Sequence, residues 1–411
     1  MSTTAVPFPG RWASRVGGMP AVFWTLWTGT LVNRLGSFVE PFLALYLTRS
    51  RGFSVAESGL VLTAFGLGAA VSQPVGGVLA DRVGRRATMV TGLSTAAVAL
   101  VGVGLAHGLS ALCVTVLVYG LCLDLFRPAV QAAVADLVPD RDRARAYALN
   151  FWAVNLGFAV AVPLGGLLAA HGYWTLFLLD AATSLAFAGI ILRRVPETRP
   201  ARGEHEDAGS LATVLSDRLL LALVACVVLH GTIYLQAFTT LPIVVDRDGL
   251  GSAGFGLVLG LNGILIIVLQ PLLLGLLAGR ERGRLLLLAS VLQGAGFGLH
   301  GLAGTVPQHM AAVAVWTTGE VLQAGLLSAV VASLAPPQLR GRYLGVFGFS
   351  FGLASMLAPL VGTQLLDRFG EAALWGSCAG AGVVAGAGLL AVSGAAERRV
   401  RSAGVSPAAP A

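Results

Sequence analysis

Apolar segments of about 20 residues recur along almost the whole chain, and a helix of that length spans the hydrocarbon core of a bilayer. The twelve segments cover residues 20–48, 56–80, 87–107, 109–137, 144–170, 173–192, 219–245, 254–279, 285–304, 308–335, 343–366 and 372–395. Of all residues, 56% are hydrophobic and 11% are charged. A soluble protein carries about twice that charged fraction. The pattern predicts an all-α polytopic membrane protein whose partner is the lipid bilayer.

The second half of the chain repeats the first at an offset of 197 residues. Three matches share this offset: GLVL at 59–62 and 256–259, Gln-Pro at 73–74 and 270–271, and the segments 135–147 and 332–344. We therefore predict two six-helix bundles with a binding site between them near the middle of the bilayer. The predicted organisation is a bundle at 1–192, a cytoplasmic linker at 193–218, a bundle at 219–395 and a cytoplasmic tail at 396–411.

All 27 basic residues are arginine, and the net charge is +7. Without lysine, the chain lacks a phosphate-binding loop of the G-x-x-x-x-G-K-[ST] type, so no ATP-driven activity and no cofactor are predicted. If the N-terminus is inside, twenty-one arginines lie in inner segments and four in outer ones. The positive-inside rule then predicts a multi-pass protein of the cell (inner) membrane with both termini cytoplasmic. The arginines lie in short loops rather than on one soluble face, so no nucleic-acid partner is expected.

The segment GVLADRVGRR at 77–86 lies between the second and third spans. It resembles the G-x-L-a-D-r-x-G-r-r signature of the major facilitator superfamily, and with the six-plus-six layout this resemblance covers nearly the whole chain. The matching residues are Gly77, Asp81, Arg82, Gly84, Arg85 and Arg86. The resemblance implies a gating loop in which Asp81 and its arginines bond neighbouring helix ends. The residues agree, because the glycines allow close packing and a sharp turn and a carboxylate can cap a helix N-terminus.

A second segment, GFAVAVPLGG at 157–166, lies in the fifth span. It resembles the motif G-x-x-x-G-P-x-x-G-G of the superfamily's twelve-span drug:proton antiporters. Gly157, Gly165 and Gly166 match the motif, whereas Ala161 replaces a glycine and Pro163 lies one residue late. Small residues here let helices pack closely. The segment therefore predicts either an antiporter-type motif or plain packing glycines.

Ionisable side chains inside the spans point to a site, because each costs roughly 2.5–3.5 kcal/mol at the centre of a bilayer and such groups face wet cavities or pair with one another. The six are Arg34, Glu40, Asp124, Arg127, Asp180 and Glu320, with His230 as a weaker seventh. On a straight helix, Asn33, Arg34 and Glu40 share one face of span 1, and Asp124 and Arg127 share one face of span 4. In the superfamily, spans 1, 4, 7 and 10 line the central cavity.

Two arrangements of these charges are open. Asp124 and Arg127 can form a local ion pair, or Arg34 can approach Asp124 and leave Glu40 less compensated. A carboxylate without a partner in an apolar cavity binds a proton more readily. This property suits a proton carrier, and it also suits an anchor for a cationic substrate. Glu40 and Glu320 are the first candidates, and Asp124, which lies beside the repeat position of Glu320, is the third.

Spans 6 and 7 provide weaker candidates. His230 and Tyr234, one helical turn apart, are predicted to line the cavity, with a structural buried histidine as the alternative for His230. Asp180 lies in span 6, a supporting span in the superfamily. The six histidines are isolated along the chain and the four cysteines lack metal-ligand spacing, so neither a metal site nor a catalytic cluster is predicted.

Together, these features predict a secondary transporter that works by alternating access. The expected activity is proton-coupled export of an amphipathic or cationic small molecule, and the superfamily expectation is a monomer. An importer or facilitator of a small nutrient is the alternative within transport. A membrane-embedded enzyme or a non-transporting scaffold is the alternative of another class, and a scaffold would not need acids at matched depth in both halves.

Overall fold

The structure is a computed structural model that describes residues 19–198, 211–277, 280–336 and 339–402. These residues form helices joined by turns and short connections, and they include no strand. The start of the first predicted bundle, at 1–18, lies outside the described residues. So do parts of the predicted linker and tail, at 199–210 and 403–411.

The helices form two sets of six spans. Spans 1 to 6 are 21–50, Val55–Arg82, Arg85–Leu105, Leu109–Leu137, Asp140–Ala169 and Tyr173–Arg194. Spans 7 to 10 are 218–247, Gly251–Leu277, Arg282–Leu302 and Val306–Leu334, preceded by the short helix Leu211–Leu215. Spans 11 and 12 are the two parts of the long helix Arg340–Ser402, which Gly370 divides because its φ of 79° is not helical.

Length and composition of these helices suit a membrane. Ten helices of the described ranges are long and apolar enough to cross a bilayer, and the longest of them contains two spans. Span 1 is broken into pieces too short to qualify singly. Large apolar side chains such as Val98 and Val384 are more than half exposed, as lipid-facing residues are. The predicted all-α polytopic fold is confirmed.

Spans 1, 4, 7 and 10 are each broken near their middle. The breaks lie at 36–38, at 124–126, around Leu235 and at 324–325. Gly325 has a φ of 79°, and Pro128 and Pro242 lie in the first turn of the pieces Arg127–Leu137 and Leu241–Arg247. Proline is compatible with a first helical turn, where its missing N–H has no helical acceptor. The straight helices assumed from the sequence are therefore wrong for these four spans.

The two halves meet along two equivalent seams. Gly59 of span 2 packs on Thr363 of span 11, and Gly256 of span 8 packs on Gly166 of span 5. The two pairs are related by the 197-residue offset, so equivalent positions of the sequence repeat form equivalent contacts in the structure. A Cβ added at either Gly59 or Gly256 would overlap the facing atoms, which is why these positions are glycine.

Among the described residues, the two ends of the molecule differ in their contacts between the halves. At the end where span 1 meets span 2, which we call the closed end, Arg49 Nε donates to Asp246 Oδ2 at 2.6 Å. The rings of Phe42 and Phe255 also pack there, with centroids 5.4 Å apart. The opposite end, which we call the open end, carries the loop 77–86, and Phe349 is half-exposed on that side. In the predicted orientation the open end faces the cytoplasm.

Candidate functional site

A cavity of about 720 Å³ lies between the two halves. It is lined from spans 1, 2, 4 and 5 on one side and from spans 7, 8, 10 and 11 on the other. A cavity of this size is typical of small-molecule sites. Its charged lining residues in the described part of the chain are Arg34, Glu40, Asp124, Arg127 and Glu320. These five residues were predicted from the sequence because charge inside a span is costly, and in the structure they line one cavity.

Asp124 is the centre of the charged wall in the first half. Arg127 Nε lies 2.8 Å from Asp124 Oδ1, and Arg34 Nη2 approaches the same oxygen at 3.6 Å. Asp124 and Arg127 are three residues apart at the break 124–126, where the Arg127 N–H donates to the Asp124 carbonyl at 3.1 Å. Both arrangements left open by the sequence are therefore present together.

Glu40 lies on the same wall without such a partner. Its side chain is partly buried and lines the cavity, yet within the described residues it forms no hydrogen bond and no ion pair. Arg34, Arg127 and Asp124 together carry one net positive charge. An ionised Glu40 neutralises that charge at a distance, and a protonated Glu40 leaves it in place.

The opposite wall carries a single carboxylate in a neutral polar setting. Asn262 Nδ2 donates to Glu320 Oε2 at 2.8 Å and approaches Thr317 Oγ1 at 3.0 Å. The Tyr234 hydroxyl also interacts with this carboxylate. Phe238 lies beside Tyr234, with ring centroids 6.0 Å apart. Asn262 was missed from the sequence, although an amide inside an apolar segment of span 8 is itself a signal.

Two predicted cavity residues lie elsewhere. Asn33 is buried against span 6, where its Nδ2 donates to Ser184 Oγ at 3.0 Å. His230 is buried in the second half, where its ring nitrogen lies 3.4 Å from Ser290 Oγ and its carbonyl accepts from Gln293. Their predicted placement in the cavity is wrong, because each lies on a face of its helix that packs against another span of its own half.

The histidines are not all isolated, contrary to the prediction. His300 and His309 stack with Nδ1 atoms 2.8 Å apart, and His309 Nε2 lies 2.9 Å from Asp248 Oδ2. The tight turn between spans 9 and 10 brings them together, although nine residues separate them in sequence. This cluster is near the closed end and outside the cavity. No group of three metal-ligating residues that could hold a metal occurs in the described ranges.

The loop 77–86 forms a compact set of contacts at the open end. Arg85 Nη1 donates to Asp81 Oδ1 and to the Ala80 carbonyl, each at 2.7 Å. The start of span 3 is capped by Glu197, which accepts from the backbone N–H groups of Arg85 at 2.7 Å and Arg86 at 3.2 Å. The predicted helix cap is therefore provided by Glu197 and not by Asp81.

The other motif residues of this loop, two glycines and two arginines, differ in what surrounds them. Gly84 adopts a φ of 124°, and a side chain there would meet the Glu197 carboxylate, so the predicted sharp turn is present. Gly77 has open space where a Cβ would lie, so the close packing predicted for it is wrong. Arg82 is exposed, and the Arg86 guanidinium bonds the Leu192 carbonyl of span 6.

The glycine segment of span 5 lies between spans 1 and 8. Gly157 packs on the backbone beside Arg34, and Gly165 packs on Phe42. Gly166 belongs to the seam described above, and Pro163 packs its ring on Gly260. The segment is therefore a close-packing surface in this structure, and an antiporter-type role for it stays a prediction.

The chain is similar to known proteins over most of its length. A family model described as Major Facilitator Superfamily matches residues 26–359 and 249–409. The uncharacterized MFS-type transporter YqjV of Bacillus subtilis (strain 168) is 28% identical over 359 residues, which are 85% of this chain and 87% of that protein. The multidrug resistance protein MdtH of Aeromonas salmonicida (strain A449) is 26% identical over 354 residues, which are 84% of this chain and 87% of that protein.

Two further similarities concern ion exchange and the fold. A Na(+), Li(+), K(+)/H(+) antiporter of Planococcus maritimus is 24% identical over 360 residues, 78% of this chain and 84% of that protein. A solved peptide transporter POT in complex with sulfate superposes with a TM-score of 0.78 and 19% identity, covering 93% of this chain and 96% of its own. At that identity the superposition shows a shared fold alone.

Proposed function

Since the chain belongs to the major facilitator superfamily, we propose that it is a secondary transporter that exports an amphipathic or cationic small molecule in exchange for protons. The observation that carries this proposal is the pair of glutamates on opposite walls of one cavity. Glu40 has no direct counter-ion among the described residues, and the partners of Glu320 are neutral. Both carboxylates can therefore gain or lose a proton without breaking an ion pair.

The charges of the cavity support exchange of a cation for a proton. With both glutamates ionised, two arginines and three acids sum to one net negative charge. A monovalent organic cation neutralises that charge, and a proton on either glutamate does the same. Substrate and proton then compete for one charge, which is what antiport requires.

The remaining lining suits an organic molecule with an apolar part. Phe65, Tyr234, Phe238 and Phe349 face the cavity, and aromatic faces attract cations as well as apolar groups. A volume of about 720 Å³ is far larger than a bare alkali cation needs. The name of the relative MdtH, a multidrug resistance protein, agrees with this substrate class.

The proposed cycle is alternating access by rocking of the halves about the two seams. The cavity lining extends to Gln73 and Gly345, on the side of the loop 77–86, and the ion pair of Arg49 with Asp246 lies at the closed end. In the predicted orientation, with cytoplasmic termini, this state accepts substrate from the cytoplasm. Opening of the closed end would release substrate outside.

The test is transport in proteoliposomes whose internal and external pH are set independently. We expect a lipophilic cation or dye to move against its gradient when a pH gradient is imposed, and to stop doing so in Glu40→Gln and Glu320→Gln. Glu281→Gln is the matched control, because Glu281 is exposed and pairs with Arg284 outside the cavity. Movement that ignores the pH gradient and survives both cavity substitutions would show a facilitator instead.

A further inference from the structure

Asp180 of span 6 contacts the break in span 1. The residue is 3% exposed, and its Oδ2 accepts the backbone N–H of Val39 at 3.3 Å. Val39 is the first residue of the helical piece Val39–Leu45, immediately after the break. On the same face of span 6, Thr183 fills the space beside Gly36, where a Cβ would overlap it. Span 6 therefore holds the backbone of span 1 at the point where its direction changes.

This break determines where two cavity charges point. Arg34 is the last but one residue of the piece before the break, and Glu40 is the second residue of the piece after it. The direction of Glu40 relative to Arg34 therefore depends on the geometry of 36–38, which Asp180 fixes through the N–H of Val39. Asp180 itself does not line the cavity of about 720 Å³.

The carboxylate of Asp180 faces several charged or titratable groups. These are Arg34 and Glu40 from span 1 and Tyr119 from span 4; the residues of span 3 that line the adjacent small pocket are apolar. A small pocket of about 10 Å³ separates Asp180 from the Arg34 side chain and is walled by Asn33, Ser37 and Tyr119. The charge of Asp180 is thus close enough to act on the charged wall without being part of it.

The repeat supplies a comparison inside the same molecule. The equivalent break in span 7 is held by Gln236, whose Nε2 donates to the Ala358 carbonyl at 3.0 Å. Its Oε1 accepts from Thr239 at 2.9 Å and from Thr240 at 2.8 Å. A neutral amide is therefore sufficient to hold such a break. The first half instead uses an ionisable carboxylate next to the candidate proton carrier.

We propose that Asp180 is a positioning residue for proton coupling: its carboxylate holds the break of span 1 and so sets the relative placement of Arg34 and Glu40. The proposal rests on the proposed function, because it concerns how the same cavity responds to protons. Asp180 touches neither substrate nor the coupling proton in this scheme. Its effect passes through the backbone at Val39.

The experiment compares Asp180→Ala, Asp180→Asn and Ser184→Ala in the proteoliposome assay over a range of pH. Asp180→Ala removes the oxygen that accepts the Val39 N–H, and Asp180→Asn keeps an acceptor oxygen in a side chain of the same size. Ser184→Ala removes a different hydrogen bond between spans 6 and 1, that of Asn33. Protein amount and thermal unfolding temperature are measured for each, and Asp180→Val replaces Asp180→Ala if the latter does not fold.

We expect Asp180→Ala, which removes the acceptor of the Val39 N–H, to lower the maximal rate of pH-driven transport about tenfold or more, because displaced catalytic or coupling groups have effects of that size. The pH dependence of the rate should also change, and Asp180→Asn, which keeps an acceptor oxygen, should restore part of both. Ser184→Ala should lower the unfolding temperature without changing the pH dependence. If the wild type shows no pH-driven transport, the proposed function fails. If it does and Asp180→Ala keeps the wild-type pH dependence, Asp180 is only structural and the positioning role fails.

Discussion

The ion pair at the closed end offers a test of alternating access. Arg49 and Asp246 belong to different halves, and they are joined by the 2.6 Å hydrogen bond from Nε and by a second contact from Nη2. Opening of the closed end must break this pair, whereas the structure described above keeps it. Neutral substitutions at either residue should therefore shift the equilibrium toward opening at this end.

The expected size of the shift follows from the exposure of the two side chains. A hydrogen bond to a charged group contributes about 1.5–3 kcal/mol when shielded, and an exposed pair about 0.2–1 kcal/mol. The Arg49 side chain is 47% exposed and that of Asp246 is 18% exposed. We therefore place the contribution of this pair near the upper end of the range for exposed ion pairs. A contribution of about 1 kcal/mol corresponds to about a fivefold change in the equilibrium constant.

The assay is a double-mutant cycle in which the measured quantity is the distance between the two halves at the closed end. Spin labels on Ser50→Cys and Thr305→Cys, in a background without the four native cysteines, report the separation of the halves at the closed end by pulsed EPR. Arg49→Gln and Asp246→Asn should each raise the population of molecules whose closed end has opened about fivefold. The double variant should raise this population no further. High salt should reduce the difference between wild type and variants. Additive effects of the two substitutions, or no effect of either, would refute the role assigned to the pair.

Two further predictions concern stability. Gly166→Ala should lower thermal stability by about 1–3 kcal/mol, because the new methyl group would overlap the Ser252 carbonyl across the seam; Gly189→Ala, where the space is open, should change it by less than about 0.5 kcal/mol. Hydrogen bonds from Arg399 lower the pKa of Asp217 to about 2. Because this pKa is depressed in the folded state, the stabilisation is present above about pH 4 and is lost as pH falls toward 2. Asp217→Asn should lower the unfolding temperature at neutral pH by a few degrees and remove its dependence on pH in that window.

The fold could be predicted from the sequence because its main determinants are local along the chain. The length of apolar segments and the 197-residue repeat require no knowledge of contacts, and both agree with the structure. The breaks in four spans could not be predicted in this way. Gly36 is placed by contact with Thr183 of span 6, and glycine also occurs in unbroken helices such as span 3.

The charged residues of the candidate site could be predicted from the sequence, because burying charge is costly. The residues whose placement depends on contacts between distant parts of the chain could not. Arg34, Glu40 and Glu320 lie in the cavity because a bilayer leaves few other places for such groups. Asn33 directly precedes Arg34 on the same helical piece and still faces span 6, because neighbouring residues of a helix point about 100° apart. Glu197 lies 112 residues from Arg85, and no local pattern in the sequence connects a cap to a helix start so far away.

The position of the closed-end ion pair bears on the origin of the molecule. Arg49 and Asp246 are separated by 197 residues, the repeat offset itself, so each is the counterpart of the other in its own half. In an ancestral assembly of two identical six-span chains, this point would bring the same side chain from each copy face to face. Two arginines or two aspartates there would repel. A complementary pair at this position thus requires two halves that vary independently, and it marks a step in divergence that only gene fusion or a heteromeric ancestor permits.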